Sequence, residues 1–501
     1  MVVGALAATM ATVTSCAGTP ADDGPRSLTI AVPGVASHNW DPVTGGALIF
    51  GLVTPGETAY ESLIVLDATE LRYEPWLAEE YMLSEDRRTM SVTLHDDVDF
   101  TDGEHLTAEA YKAGFDAIMA GGSNYSTFEL VSFEPEVVVT GDYTFDIQTT
   151  RGINERFFDA LTYLPVVSPA ALDDLEALAA TAAGTGPYIV DELVPDVSTT
   201  FIRNPNYWNP DAYDFDTVTY LAYPDRIAAA NALKSGQVDA AQLDLGLAED
   251  VENSGLTIQM GGGEVATFVW LDRKNELGSP VADVRVRQAI SYAFDRDSIN
   301  ENLNLGYGVA RSQAFLKGTP QYIEGGDDRY PYDLEKAREL MTEAGYPDGF
   351  DLALPVYSQL AIYQPMVEQS LADIGIRVTF DEYADAGAWA ATYMEAPLRY
   401  PIIFRWQGDA GWLAYLSDNG IYNQRGPADP ITAALFDRMD NGTPEVSAAA
   451  AQELGELLLE EAWYIPVSRR FDLWGSAPDV AIAVGNKAAW PVGLRDFSAV
   501  D

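Results

Sequence analysis

The densest run of side chains able to do chemistry is residues 404–415, FRWQGDAGWLAY, which puts Arg405, Trp406, Asp409, Trp412 and Tyr415 within twelve positions. A carboxylate in such a run can hold a cation through a short, charge-assisted hydrogen bond. The indoles offer flat apolar walls, and the guanidinium can face a carboxylate or the protein's own strands. The bland alternative is that the aromatics are core and Asp409 caps a turn. Covalent chemistry has little to build on elsewhere. There is no G-x-S-x-G elbow, no Walker A loop and no H-E-x-x-H. With 77 Asp+Glu, paired carboxylates occur everywhere and do not by themselves signal a glycosidase. Asp97, Asp99, Thr101 and Asp102-Gly103 imitate a calcium loop, but the glycine falls one place late and position twelve is Ala108, so a polar turn is expected. Gly261-Gly262-Gly263 lacks a G-x-G-x-x-G frame and reads as a turn before a strand. Three His (His38, His95, His105) and one Cys supply neither a zinc set nor a disulfide, so no metal and no cofactor is expected.

The composition narrows the partners. Against those acids stand 29 Lys+Arg, a formal net charge of −48, which repels phosphate backbones and makes a nucleic-acid partner untenable. Hydrophobic residues make up 47%, enough for large cores and too many for bulk disorder. A length of 501 residues suggests two to four domains.

The elements that must position any site alternate between strand and helix. Residues 27–32 (SLTIAV) read as an opening strand, residues 60–67 as a helix end running into a strand, and residues 90–94 as another strand. Thr107 is a plausible N-cap for a helix through Ala120. Residues 137–139 and 144–149 make a hairpin across Gly141-Asp142, and residues 169–183 read as one Ala/Leu-rich helix ending at Gly184. Strands and helices then alternate to the C-terminus, an α/β pattern.

The N-terminal run 2–13 (VVGALAATMATV) is too short for a membrane span and fits the apolar part of a secretory signal. Val13-Thr14-Ser15-Cys16 resembles a bacterial lipobox, which implies a lipidated Cys16, a signal peptide over 1–15 and a small, polar tether over 16–26. The implied location is the extracytoplasmic face of the cell membrane, held by the lipid anchor only.

Seven segments in order resemble one family. They are Tyr60-Glu61-Ser62-Leu63 with Pro75-Trp76-Leu77-Ala78-Glu79; the block from His95 to Gly103 with Leu106-Thr107-Ala108-Glu109; Gly184-Thr185-Gly186-Pro187-Tyr188; Arg203-Asn204-Pro205-Asn206-Tyr207-Trp208; Leu233 to Asp239 (LKSGQVD); Val284 to Ile290 (VRVRQAI); and Leu334 to Gly345 (LEKARELMTEAG). The chain thus resembles the family 5 extracellular solute-binding proteins, the peptide/nickel-binding components of ABC importers, from about Ser27 onward.

The resemblance implies a two-lobed periplasmic-binding-protein-like fold (type II, cluster C) with an extra subdomain in lobe I. Lobe I is then expected at 27–55, 185–264 and 477–501, the extra subdomain at 56–184, and lobe II at 265–476. Residues 265–272 should cross outward and residues 471–474 should return. It also implies that Asp409 holds a peptide's α-ammonium group, with Trp406, Trp412, Arg405 and Tyr415 around it. Where the family often continues with Asp-Pro, this chain reads Ala410-Gly411-Trp412-Leu413, which puts a standard dipeptide pocket in doubt. Trp40, in Asn39-Trp40-Asp41-Pro42, replaces an aliphatic near the cleft mouth and reads equally as a ligand wall or a packing swap. The implied protein is a monomer without enzymatic activity. Its partners are a small-molecule or peptide ligand, a permease and its ATPase subunits. An oligosaccharide is the alternative ligand, and a secreted glycoside hydrolase the alternative class.

Overall fold

The structure is a computed structural model and describes residues 26–32, 40–43, 55–67, 72–121, 125–315, 317–384, 388–389, 392, 397–399, 402–404, 416, 430–483 and 493–500. Its backbone is a ten-stranded mixed sheet. Strand Ser27–Val32 lies parallel to both Thr217–Ala222 and Ala240–Leu243. Antiparallel strands Ser198–Arg203 and Tyr188–Val194 extend one side. On the other side Ala240–Leu243 pairs with the long strand Tyr464–Ser476, which pairs in turn with the long strand Thr257–Trp270.

These two long strands leave one hydrophobic core and enter another. Along Ser27–Val32 the period-two alternation sends Leu28, Ile30 and Val32 into a first cluster with Phe201, Tyr220 and Trp474. Ala31 faces the opposite side, where Ala229, Leu233, Leu243, Val251 and Leu473 form a small Ala/Leu layer. From Val265 onward the outgoing strand contributes to a separate cluster with Phe294, Leu354, Leu454 and Ile465. The return strand contributes Val467 to that second core and Leu473 to the Ala/Leu layer. Two bodies are therefore packed independently and joined through the stretch that pairs Gln259–Ala266 with Ser468–Trp474.

The segment between Pro55 and Gly184 carries its own four-stranded antiparallel sheet, ordered Ala78–Leu83, Thr89–Leu94, Thr144–Gln148, Glu136–Val139. Its apolar side chains, among them Val92, Phe115, Phe145 and Phe157, belong to the same cluster as the large sheet, so it packs as a continuation of the first body. Helix Ala108–Gly121 starts where Thr107 Oγ1 accepts from the Ala110 N–H at 3.2 Å. The Asp97–Gly103 stretch is a turn, with Gly103 at φ 91°.

Two sequence expectations need correction. Residues 169–183 do not form one helix. Asp174, at φ −140° and ψ 84°, interrupts the run and caps a new short helix by accepting from the Ala177 N–H at 3.0 Å, leaving a 3-10 turn Ala170–Asp173 and a helix Leu175–Ala180. An aspartate that satisfies a free N–H outcompetes Ala/Leu propensity here. Gly261-Gly262-Gly263 is not a turn before a strand but lies within one. Gly261 pairs with Asp472 and Glu264 with Arg470, so two residues oppose Phe471 alone in a β-bulge.

Candidate functional site

The bulge marks where the chain passes between bodies. Gly262 and Gly263 take φ 67° and 146°. A Cβ on Gly263 would lie 2.0 Å from the Arg470 carbonyl oxygen, so the return strand can approach only a glycine here. Strand Ile402–Phe404 pairs with the outgoing strand at this point, with Phe404 opposite Glu264 and Ile402 opposite Ala266. Phe404 therefore stands beside the bulge, and the next described residue, Leu416, is fully buried in the second core.

Asp409, Trp406, Trp412, Arg405 and Tyr415 lie outside the described residues, as does Cys16. Trp40 is described, and its side chain has no exposed surface. Its ring meets Phe201 edge-on at 5.9 Å, its backbone N–H donates to the Ala179 carbonyl at 3.2 Å, and its backbone carbonyl accepts from the Tyr60 hydroxyl at 2.8 Å. Trp40 thus packs within the first core.

Sequence reasoning missed a buried and multiply bonded carboxylate of the first body. Glu61 is buried, and among the described residues no cation is in hydrogen-bond contact with it. One of its oxygens accepts from the Tyr207 hydroxyl at 2.6 Å and the Trp76 indole N–H at 2.7 Å; the other accepts from the Trp208 indole N–H at 3.2 Å. Burial holds its carboxyl above the usual range even though these donors pull it down. The Tyr207 hydroxyl is likewise held far above its ordinary value, by burial and then by the neighbouring Glu61 charge. Two of the seven sequence blocks thus meet on one carboxylate. A third locks on through the Gly186 backbone: the Gly186 N–H donates to the Ala59 carbonyl at 3.1 Å and Asn204 Nδ2 donates to the Gly186 carbonyl at 3.2 Å. The signal was the co-occurrence of an acid with three hydrogen-bond-donating aromatics across two motifs.

Beside Glu61 lies a polar cavity of about 70 Å³ lined by Glu57, Tyr60, Tyr163, Tyr213 and Arg495. It has room for a few waters and none for a peptide. Among the described residues no group of three His, Cys, Asp or Glu is arranged to hold a metal ion. His105 is bonded to Asp99 Oδ1 at 2.6 Å and the Tyr143 hydroxyl at 3.1 Å, and His95 lies against Trp208 at 4.6 Å. Among the described residues no helix is long and apolar enough to cross a membrane.

Comparison with known proteins places this architecture. The profile of the bacterial extracellular solute-binding proteins, family 5, matches residues 72–423. The nickel-binding periplasmic protein of Escherichia coli (strain K12) is 27% identical over 340 residues, covering 64% of this chain and 63% of that protein. The glutathione-binding protein GsiB of the same strain is 26% identical over 340 residues, covering 66% of this chain and 65% of the relative. The matches thus span just under two thirds of the length of these two curated relatives. Among solved structures, NikA from Brucella suis in complex with Fe(III)-EDTA superposes with a TM-score of 0.79 at 20% identity, covering 95% of this chain and 100% of that one. The periplasmic binding protein DppA from Helicobacter pylori, in complex with the peptide STSA, gives 0.76 at 20% identity, covering 95% and 99%. Two independently packed bodies joined by paired crossing strands, in a chain whose sequence matches this profile over most of its length, make it a two-lobed member of the bacterial extracellular solute-binding proteins, family 5.

Proposed function

We propose that this chain is the solute receptor of an ABC importer, closing its two lobes on a short peptide and delivering it to a permease without covalent chemistry. The observation that carries this reading is the pair of crossing strands between two cores, with strand Ile402–Phe404, which precedes the Trp- and Asp-bearing run in sequence, paired beside the bulge. A rotation about those strands costs no core packing, and ligand binding drives it through differential affinity for the closed form. The peptide class is supported by the match of Gly408-Asp409 to the segment that holds a peptide's amino end, and by the peptide complex of the DppA neighbour. The bonded, turn-bound and stacked positions of His95 and His105 give no support to direct nickel ligation.

Calorimetric titration with dipeptide to pentapeptide and oligosaccharide libraries tests the reading. For a peptide, Asp409→Asn leaves an ammonium without its counter-charge, a loss of about 2–5 kcal/mol, or roughly 30- to several-thousand-fold in affinity. For a neutral sugar stacked on indole, Trp406→Ala should weaken binding more than Asp409→Asn. Unchanged affinity in both variants would remove this run from the binding site.

We further propose that Cys16 carries the lipid that tethers the receptor outside the cell. Expressed with its leader, the Cys16→Ala variant should lose incorporated fatty-acid label and move from the membrane fraction to the medium. Retention of label and membrane association would refute the anchor.

A further inference from the structure

The two lobes meet a second time, away from the crossing strands. On the first body the contact is made by the turn before strand Thr89–Leu94 and by residues 151–156; on the second it is made by the C-terminal end of helix Pro430–Asn441 and the loop into helix Pro444–Glu460. Arg87 reaches across and donates to the carbonyls of Met439 at 2.9 Å, Asp440 at 3.1 Å and Gly442 at 2.9 Å. These are carbonyls that a helix end leaves without intrahelical partners, at the pole where a cation is favoured. Arg88 adds a bond to Asn441 Oδ1 at 3.1 Å. Asn154 uses its Oδ1 to cap its own helix at the Arg156 N–H, 3.0 Å away, and turns Nδ2 to Asp440 Oδ1 at 2.5 Å. Arg151 stands 3.8 Å from the other oxygen of that carboxylate, whose side chain is only 2% exposed. The backbones touch as well: a Cβ on Gly152 would lie 1.7 Å from the Asp440 carbonyl oxygen.

This contact differs in kind from the cores on either side. Ile153 and Phe157 belong to the first cluster and Phe436 and Met439 to the second, and the Arg156 guanidinium lies between them, 5.5 Å from the Phe133 ring on its own side and 5.6 Å from the Phe436 ring across the contact. What crosses is chiefly polar: a guanidinium on a helix end, an amide on a carboxylate, a second guanidinium on an aromatic ring and one close backbone approach. Groups of that type can pass to water when the bodies separate, whereas an apolar seam would be exposed at large cost. We propose that the Arg87–Asn154–Asp440 contact is a clasp made only in the closed form, and that it holds a measurable fraction of ligand-free molecules closed. Residues that never touch the ligand would then tune affinity, because apparent affinity scales with the fraction of binding-competent molecules. The clasp rests on the two-lobed receptor reading but not on any ligand class.

The test uses the full chain with no ligand added. Small-angle scattering of wild-type protein should give a radius of gyration near 23 Å, the expectation for a compact chain of this length. Arg87→Ala removes the three carbonyl bonds, and Gly152→Val wedges the backbones apart. Both variants should raise the radius of gyration by several per cent while the calorimetric melting temperature falls by no more than about 2 °C, since neither core is altered. Arg87→Lys, which keeps a charge but loses the fork, should fall between wild type and Arg87→Ala. Scattering profiles identical to wild type would overturn the clasp, with or without a fall in melting temperature. A drop of many degrees in Arg87→Ala at unchanged size would show permanent packing in its place. Failure of the separate peptide titrations would leave this result standing.

Discussion

Replacing Gly263 by alanine should destabilise the protein by about 3 kcal/mol or more, one of the largest single-site losses expected for this chain. The argument is steric twice over. At φ 146° the residue sits where side chains are rarely tolerated. Its missing Cβ would stand 2.0 Å from the Arg470 carbonyl oxygen, 2.9 Å from the carbonyl carbon and 3.1 Å from the Phe471 Cα, all backbone atoms. No rotamer change relieves that contact; one strand must move, and both strands are held by the pairings that connect the lobes. Gly262, at φ 67°, is the internal control. Its φ alone sets an alanine penalty of about 1–2 kcal/mol there. Calorimetry and urea unfolding of the two variants should therefore separate clearly, and equal losses would mean that the return strand yields where this geometry says it cannot. Scattering of Gly263→Ala should also show altered lobe spacing, because the bulge sets the path along which the outgoing strand leaves the first body.

The parts of the fold that were legible from sequence are those governed by local rules. Ser27–Val32 alternates as a half-buried strand must, and Thr107 caps the helix that follows it. The crossing was legible only through the family resemblance, which implied it at residues 265–272 and 471–474; the observed pairing joins Gln259–Ala266 to Ser468–Trp474. What the sequence concealed was decided by distant backbone. Three consecutive glycines look like a turn until a second strand, some two hundred residues later in the chain, is seen pressing on one of them. Residues 169–183 look like one helix because propensity sums along the run, yet a single Asp174 carboxylate found a better partner in the Ala177 N–H. Trp40 could be weighed but not decided from sequence, because its enclosure depends on Phe201 and on a backbone bond to Ala179. The Arg87 contact had no sequence signal at all: an arginine in a polar turn is ordinary, and its acceptors are the carbonyls of a helix end more than three hundred residues away. The run proposed to bind the ligand, residues 404–415, was visible through its side-chain types and its match to a family segment, which is chemistry written locally.

Glu61→Ala leaves three donors without their acceptor, the buried Tyr207 hydroxyl and the half-buried indoles of Trp76 and Trp208, at roughly 1–3 kcal/mol each, so the loss is expected within about 3–9 kcal/mol. The adjoining cavity of about 70 Å³ lets water take part of the load, which places the expectation toward the lower half of that span. Glu61→Gln isolates the charge. Its amide oxygen can accept two of the bonds, but its NH₂ faces the remaining indole N–H, donor against donor, so a loss of about 1–3 kcal/mol is expected. The pH dependence has a definite sign. Burial raises the folded-state carboxyl above its ordinary 4.5, so the folded protein binds the proton more tightly than the unfolded chain does. The stability that this proton contributes is complete below about pH 4.5 and is lost as pH rises through the folded value. Wild type minus Glu61→Gln should therefore show its largest stability difference at acid pH and a smaller one at pH 8. Many other carboxylates also titrate in a chain of net charge −48, but they are common to both proteins and cancel in the difference. A difference that grows with pH would mean that the indole and hydroxyl donors outweigh burial and hold Glu61 ionised. A difference flat with pH, together with a small loss in Glu61→Ala, would remove this carboxylate from its place as the polar joint of the first lobe.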